Sequence, residues 1–215
     1  MTVFHTSDPH IGHRFVAKLR WQRAFPGLEL PSDEKVVSWH DQVLAQHWDN
    51  TVKKDDVVWV HGDLALTNAK AGVNHVLDWV TNRHGRKQLI FGNHDPGHPM
   101  HRDSYKWQKE YLRHAFESAQ LAARRKVTLK DGSTRSVLLS HMPYQGDRTE
   151  SDRDVQWRLR DEGLWLWHGH LHSEFTLHAP GTKQLDVGVD AWGLKPVAEE
   201  TLIGLISSYE GALAL

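Results

Sequence analysis

Residues 88–95 read Gln-Leu-Ile-Phe-Gly-Asn-His-Asp: an apolar run that stops at a glycine, followed by three polar side chains able to meet a metal or a phosphate. A short, uniformly apolar run of this kind suits a strand buried on both faces, as found in sheets covered by helices. The same pattern recurs along the chain. Val3 to Thr6 is followed by Ser7-Asp8-Pro9-His10, and Asp56 to Val60 by His61-Gly62-Asp63. Ser136 to Leu139 runs into Ser140-His141, and Leu164 to Trp167 into His168-Gly169-His170-Leu171-His172. Ligand sites in α/β sheets form beyond the carboxyl ends of strands. If these strands are neighbours, Asp8, His10, Asp63, Asn93, His141, His170 and His172 converge.

The segments between the first three runs read as helices. Ser32-Asp33-Glu34 is an N-terminal signal, and Val36, Val37, Trp39, Val43, Leu44 and Trp48 follow at helical spacing. From Ala69 to Val80, Val73, Val76, Leu77 and Val80 share one face. The order β-α-β-α-β implies parallel pairing. The second half changes style. Lys126 to Leu129, the turn Lys130-Asp131-Gly132-Ser133 and Arg135 to Leu139 read as a hairpin. Phe175 to Leu177, the Pro180-Gly181 turn and Gln184 to Val187 read as another. Helical stretches at Asp103 to Phe116 and Ala198 to Ile206 complete an α/β chain with two facing mixed sheets clad by helices. No repeat or linker marks a boundary, so one domain over residues 1–215 is expected.

Composition narrows the chemistry. The chain has no cysteine, which excludes disulfides, thiolate metal sites and a cysteine nucleophile. Its 26 basic and 27 acidic residues leave a net charge of −1, which argues against a duplex-coating protein or a polybasic membrane binder. The opening MTVFHTSDPH has no charged-then-apolar leader, and no apolar run approaches a membrane span, so a cytoplasmic protein is expected. Histidine is abundant, 17 of 215 residues, and it is both the commonest metal ligand and the usual acid–base group near neutrality.

Seven oxygen and nitrogen donors exceed what one ion with an open position needs, and they suit two ions sharing a bridging carboxylate. Gly62, Gly92 and Gly169 each adjoin a donor, where a sharp turn brings backbone close to the site. Imidazole, carboxylate and carboxamide admit Mn, Fe, Zn or Ni and disfavour Cu(I).

In this order, D-x-H, G-D, G-N-H-D, a lone histidine and G-H-x-H resemble the calcineurin-like metallophosphoesterase family, over Asp8 to His172. The stretch 186–197, DVGVDAWGLKPV, is similar to a segment of small bacterial and phage members. The resemblance implies a four-layer α/β/β/α sandwich with two divalent transition-metal ions, manganese favoured. Asp8, His10 and His172 would hold one ion, Asn93, His141 and His170 the other, with Asp63 bridging. His94 would protonate the leaving group. The implied activity is phosphoric ester hydrolysis, with water activated between the ions attacking phosphorus. Small nucleotide-type or cyclic nucleotide diesters are the favoured substrates. A phosphomonoesterase and a metal-binding scaffold without activity are the alternatives. Many relatives carry G-D-x-x-D, whose second aspartate pairs with the acid histidine; here Leu66 stands at that position, and adjacent Asp95 is the nearest substitute in sequence.

Other readings are structural. His13, His61, His98 and His168 adjoin the motifs but are expected to pack or face solvent. The remaining eight histidines, His5 and His40 among them, are read the same way. Trp39, Trp48, Trp59, Trp165 and Trp167 sit at core spacing. Tyr144 and Arg148 are the candidate substrate contacts, with Arg153 in the same polar stretch, 145–154.

Overall fold

The computed structural model describes residues 1–67, 69–147, 150–177 and 181–213. The first half alternates strand and helix. Strand β1 (Val3–Thr6) leads to helices α1 (Arg14–Ala24) and α2 (Asp33–Thr51), and then to β2 (Val57–Val60). Helix α3 (Lys70–Thr81), β3 (Arg86–Ile90), α4 (Ser104–His114) and β4 (Ser118–Gln120) follow. The second half holds β5 (Ala122–Thr128), β6 (Thr134–Ser140), β7 (Trp165–His168), β8 (Gln184–Asp186) and β9 (Val197–Ala198). Helix α5 (Glu199–Leu213) comes last.

Two mixed sheets result, ordered β4-β3-β2-β1-β9 and β5-β6-β7-β8. Strands β1 to β4 pair in parallel, and β9 closes the edge antiparallel to β1. In the second sheet the β5–β6 hairpin is antiparallel, while β6, β7 and β8 run parallel. The expected α/β class and the two mixed sheets are therefore present. The apolar runs become strands for the anticipated reason: each is buried on both faces. Phe4, Val58, Val60 and Leu89 pack against Leu44 and Trp48 of α2 and Val73, Val76 and Leu77 of α3. On the opposite face, Trp59 and Ile90 meet Val137, Leu139, Trp165 and Trp167 of the second sheet, with Leu202 and Ile206 of α5 in the same cluster. The His5 and Trp167 rings meet edge to face there, 4.6 Å between centroids.

Of the second expected hairpin, the described residues show the antiparallel bridge between Leu177 and Leu185 and the Asp186 amide donating to the Thr176 carbonyl. On its other edge strand β8 pairs in parallel with β7, so its buried backbone is satisfied from both sides. Pro180 of the expected turn lies outside the described residues. Helix α1 has no counterpart in the sequence reading. Its apolar positions form no stripe, and its buried face is built around Arg20, 3% exposed. The His13 ring caps it by accepting from the Val16 amide. Among the described residues, no helix is long and apolar enough to cross a membrane.

Candidate metal centre

The seven anticipated donors stand in the loops that leave β1, β2, β3, β6 and β7, and the structure brings them together. Backbone hydrogen bonds tie the loops side by side: Asp8 N to Gly62 O at 3.0 Å, Ile11 N to Leu64 O at 2.7 Å and Gly169 N to His141 O at 2.9 Å. Asp95 locks two loops from beneath, its carboxylate accepting from the amides of Gly92, Asp63 and Leu64. Burial and the neighbouring Asp63 charge push the Asp95 pKa upward.

Five of the seven donors, Asp8, His10, Asp63, His170 and His172, have φ between 49° and 74°, in the left-handed region. That conformation is uncommon for residues other than glycine and costs of order 1–2 kcal/mol each. Its concentration here points to a functional constraint. The glycines allow the close approach. A Cβ on Gly62, whose φ is +85°, would fall on the backbone of Gly92, and one on Gly169 would fall on Ser7 and the Asp8 carboxylate.

Two groups of donors result. In the first, Nε2 of His10 and Nε2 of His172 lie 3.0 Å apart. Oδ1 of Asp8 faces them at 3.9 and 3.7 Å. This oxygen is buried without a hydrogen-bond partner among the described residues. Two facing imidazole nitrogens share at most one proton, and a buried carboxylate oxygen left unpaired is costly. A cation among these three atoms satisfies all of them. In the second group, Nε2 of His141 lies 3.0 Å from Asn93 Oδ1, and Nδ1 of His170 lies 3.1 Å from the same oxygen. Asp63 stands between the groups, with Oδ2 3.7 Å from His10 Nε2 and 3.4 Å from His141 Nε2. Asp8, His10 and His172, and likewise Asp8, Asp63 and His141, offer donor atoms that all lie within 4.8 Å of one another.

Electrostatics carries the same signature. Burial disfavours charge on His141, yet the Asp63 carboxylate overrides it and pushes the pKa up to about 10. Burial dominates at His10 and holds its pKa well below the ordinary histidine value, although Asp63 acts in the other direction. The imidazoles are also oriented from behind, as metal-binding histidines usually are. Nδ1 of His141 donates to the His61 carbonyl at 2.7 Å, leaving Nε2 to face the centre. Nδ1 of His172 lies 3.4 Å from Asp190, whose carboxylate is held by Arg20 and Arg23. Nε2 of His170 lies 3.3 Å from Asp147, itself held by Arg153 and Arg158.

No family model matches the chain. It is 43% identical over 208 residues to the Gene 66 protein of Mycobacterium phage L5, covering 95% of this chain and 94% of that protein. It is 45% identical over 193 residues to the Gene 66 protein of Mycobacterium phage D29, covering 88% of each. The chain belongs to the Gene 66 protein family. An uncharacterized protein of Methanocaldococcus jannaschii is 26% identical over 208 residues, covering 95% of this chain and 90% of that protein. A crystal structure of an Aquifex aeolicus protein of unknown function shares the fold, with a TM-score of 0.60 at 22% identity over 95% of this chain and 98% of that one.

In this member of the Gene 66 family, His94 stands at the rim of the centre, its side chain 39% exposed and its Nε2 3.9 Å from Asp63 Oδ2. Asp95 is not its partner, because the carboxylate is spent on backbone amides. The candidate substrate contacts fare differently. Tyr144 is buried, and its hydroxyl donates to the Leu164 carbonyl, so the group chosen to meet substrate is committed to packing. Arg148 lies outside the described residues. Arg153 does line the opening, with Phe15, Leu66 and His94. Three residues behind the donors escaped the sequence reading: Arg20, Asp147 and Asp190. Asp190 lies in the DVGVDAWGLKPV stretch, but nothing local distinguishes it from Asp186.

Proposed function

We propose that this protein is a metal-dependent phosphoric ester hydrolase of the calcineurin-like metallophosphoesterase type, acting in the cytoplasm on small nucleotide-type diesters. The α/β/β/α sandwich of that family is part of the same reading. The observation that carries it is the pair of donor groups meeting at Asp63, built from the seven residues that the motif order singles out. Asp8, His10 and His172 would hold one ion, and Asn93, His141 and His170 the other, with Asp63 between them. Two divalent cations there would supply an activated water and offset the phosphate charge. A donor set of nitrogen and oxygen atoms fits manganese, iron, zinc or nickel.

The chain's own groups do the rest. The strained loops and the carboxylates of Asp147 and Asp190 preset the imidazoles, so little reorganisation is needed when a ligand arrives. His94, at the rim and open to solvent, would deliver its Nε2 proton to the departing ester oxygen as the bond to phosphorus breaks. The opening beside it, about 290 Å³, admits a small ester, and Arg153 at its edge would meet phosphate oxygens.

Chelator-stripped protein, reloaded separately with Mn, Ni, Fe and Zn, tests this on an aryl phosphodiester, an aryl phosphomonoester and cyclic nucleotides. Metal-dependent turnover of the diesters is expected. Failure on every substrate with every metal overturns the reading, and a clear monoester preference replaces it with a phosphomonoesterase.

A further inference from the structure

A second, larger groove adjoins the metal centre, about 670 Å³ in volume, and shares Leu66 and His94 with its opening. Its other walls include Pro96, Arg102 and Trp107. We infer that this groove is a nucleoside subsite that receives the leaving group, an inference resting on the hydrolase reading above.

Position comes first. A group departing on the side of His94 has this groove directly beside it, because the two cavities meet at His94 and Leu66. Chemistry comes second. Leu66 is 51% exposed at the junction, an apolar side chain turned to solvent. Trp107, on α4, is partly buried against the first core cluster, so its ring is fixed in place and offers a ready stacking surface. Arg102 adds hydrogen-bond donors for the polar edge of a ring. Size comes third, since a cavity of this volume lies within the usual range for a small-molecule site. Among the described residues the lining carries one arginine, offset by adjacent Asp103, with two imidazoles, His94 and His101, and no lysine, which favours a flat heterocycle with its sugar over a second phosphate.

Adenosine, which has no phosphate to hydrolyse, tests the groove separately from the reaction. In ¹H–¹⁵N spectra of the whole chain, adenosine should shift the Leu66 amide and the Trp107 indole in a saturable way, and ribose should not. The Trp107→Ala variant should weaken this binding by at least about fivefold, the low end of the usual loss for one base–aromatic stack. Leu66→Asp, at an exposed position, reads the same groove without disturbing the core and should weaken binding as well. Absence of a saturable shift at both probes overturns the subsite, as does binding that neither variant weakens. Ester turnover without adenosine binding removes the groove alone. Adenosine binding without any metal-dependent turnover leaves a nucleoside site and removes the leaving-group role.

Discussion

Leu66 and His94 both line the opening of the donor cluster, and Leu66 stands in the sequence where the resembled family would carry the carboxylate partner of its acid histidine. Among the described residues, the carboxylate within ion-pair reach of the His94 ring is that of Asp63, with Oδ2 3.9 Å from Nε2. Replacing His94 by Gln should therefore lower kcat/KM about 10²–10⁴-fold on alkyl or nucleoside esters, which need a proton on the leaving oxygen. Activated aryl esters, which do not, should lose far less. Equal losses on both would take proton delivery away from His94. The other histidines show why abundance was a poor guide. His5, His40 and His61 are buried in hydrogen bonds with Glu199, Arg20, Asp41 and one another. Position after a strand, more than residue count, located the donor cluster, although His61, which also follows a strand, is tied into structural hydrogen bonds with His5 and the Ser140 carbonyl.

At the scale of elements, the loops are more constrained than the strands they extend. The segments after β1 and β2 cross close to those after β3 and β7, with no room for a side chain at Gly62. Gly62→Ala adds a backbone clash to an unfavourable φ, neither of which a side-chain rotation can relieve. A loss of about 3 kcal/mol or more is expected in urea denaturation; a loss under about 1 kcal/mol would mean that the crossing loops can part. The central strands were legible in the chain, because apolar runs report burial on both faces directly, whereas the short edge strands β4 and β9 were not. Helices α2 and α3 were legible through their apolar stripes. Helix α1 was not. Its buried Arg20 hydrogen-bonds the carbonyls of Asp8 and Pro9 and pairs with Asp190, so a charge does the packing that an apolar residue does elsewhere.

Across the whole molecule, Glu199 links the two sheets at the start of α5. It accepts from Arg125 of β5 at 3.0 and 2.9 Å and lies 3.2 Å from His5 of β1. Burial works against this carboxylate, but the hydrogen bonds from His5 and Arg125 override it and hold the pKa at about 2, below the ordinary 4.5. A depressed carboxylate stabilises the fold above its unfolded value, and the contribution disappears as pH falls from about 4.5 towards 2. It is of order 2–3 kcal/mol at neutral pH. Glu199→Gln should be less stable than wild type at pH 7 and should show a flatter stability profile between pH 5 and 2. Parallel profiles in a urea-midpoint series would remove Glu199 from acid unfolding. By itself the sequence determined the α/β class, the runs that become β1, β2, β3, β6 and β7 and the seven candidate donors beyond them, since burial patterns and turn residues are local properties. Edge strands β4 and β9 left no such signal. Only the tertiary structure decided which imidazole nitrogen faces the centre and which carboxylates stand behind it. It also decided where the second groove opens. Those depend on distant partners, as with Arg20 and Asp190, 170 positions apart, and no local pattern records which charges a fold will bring together.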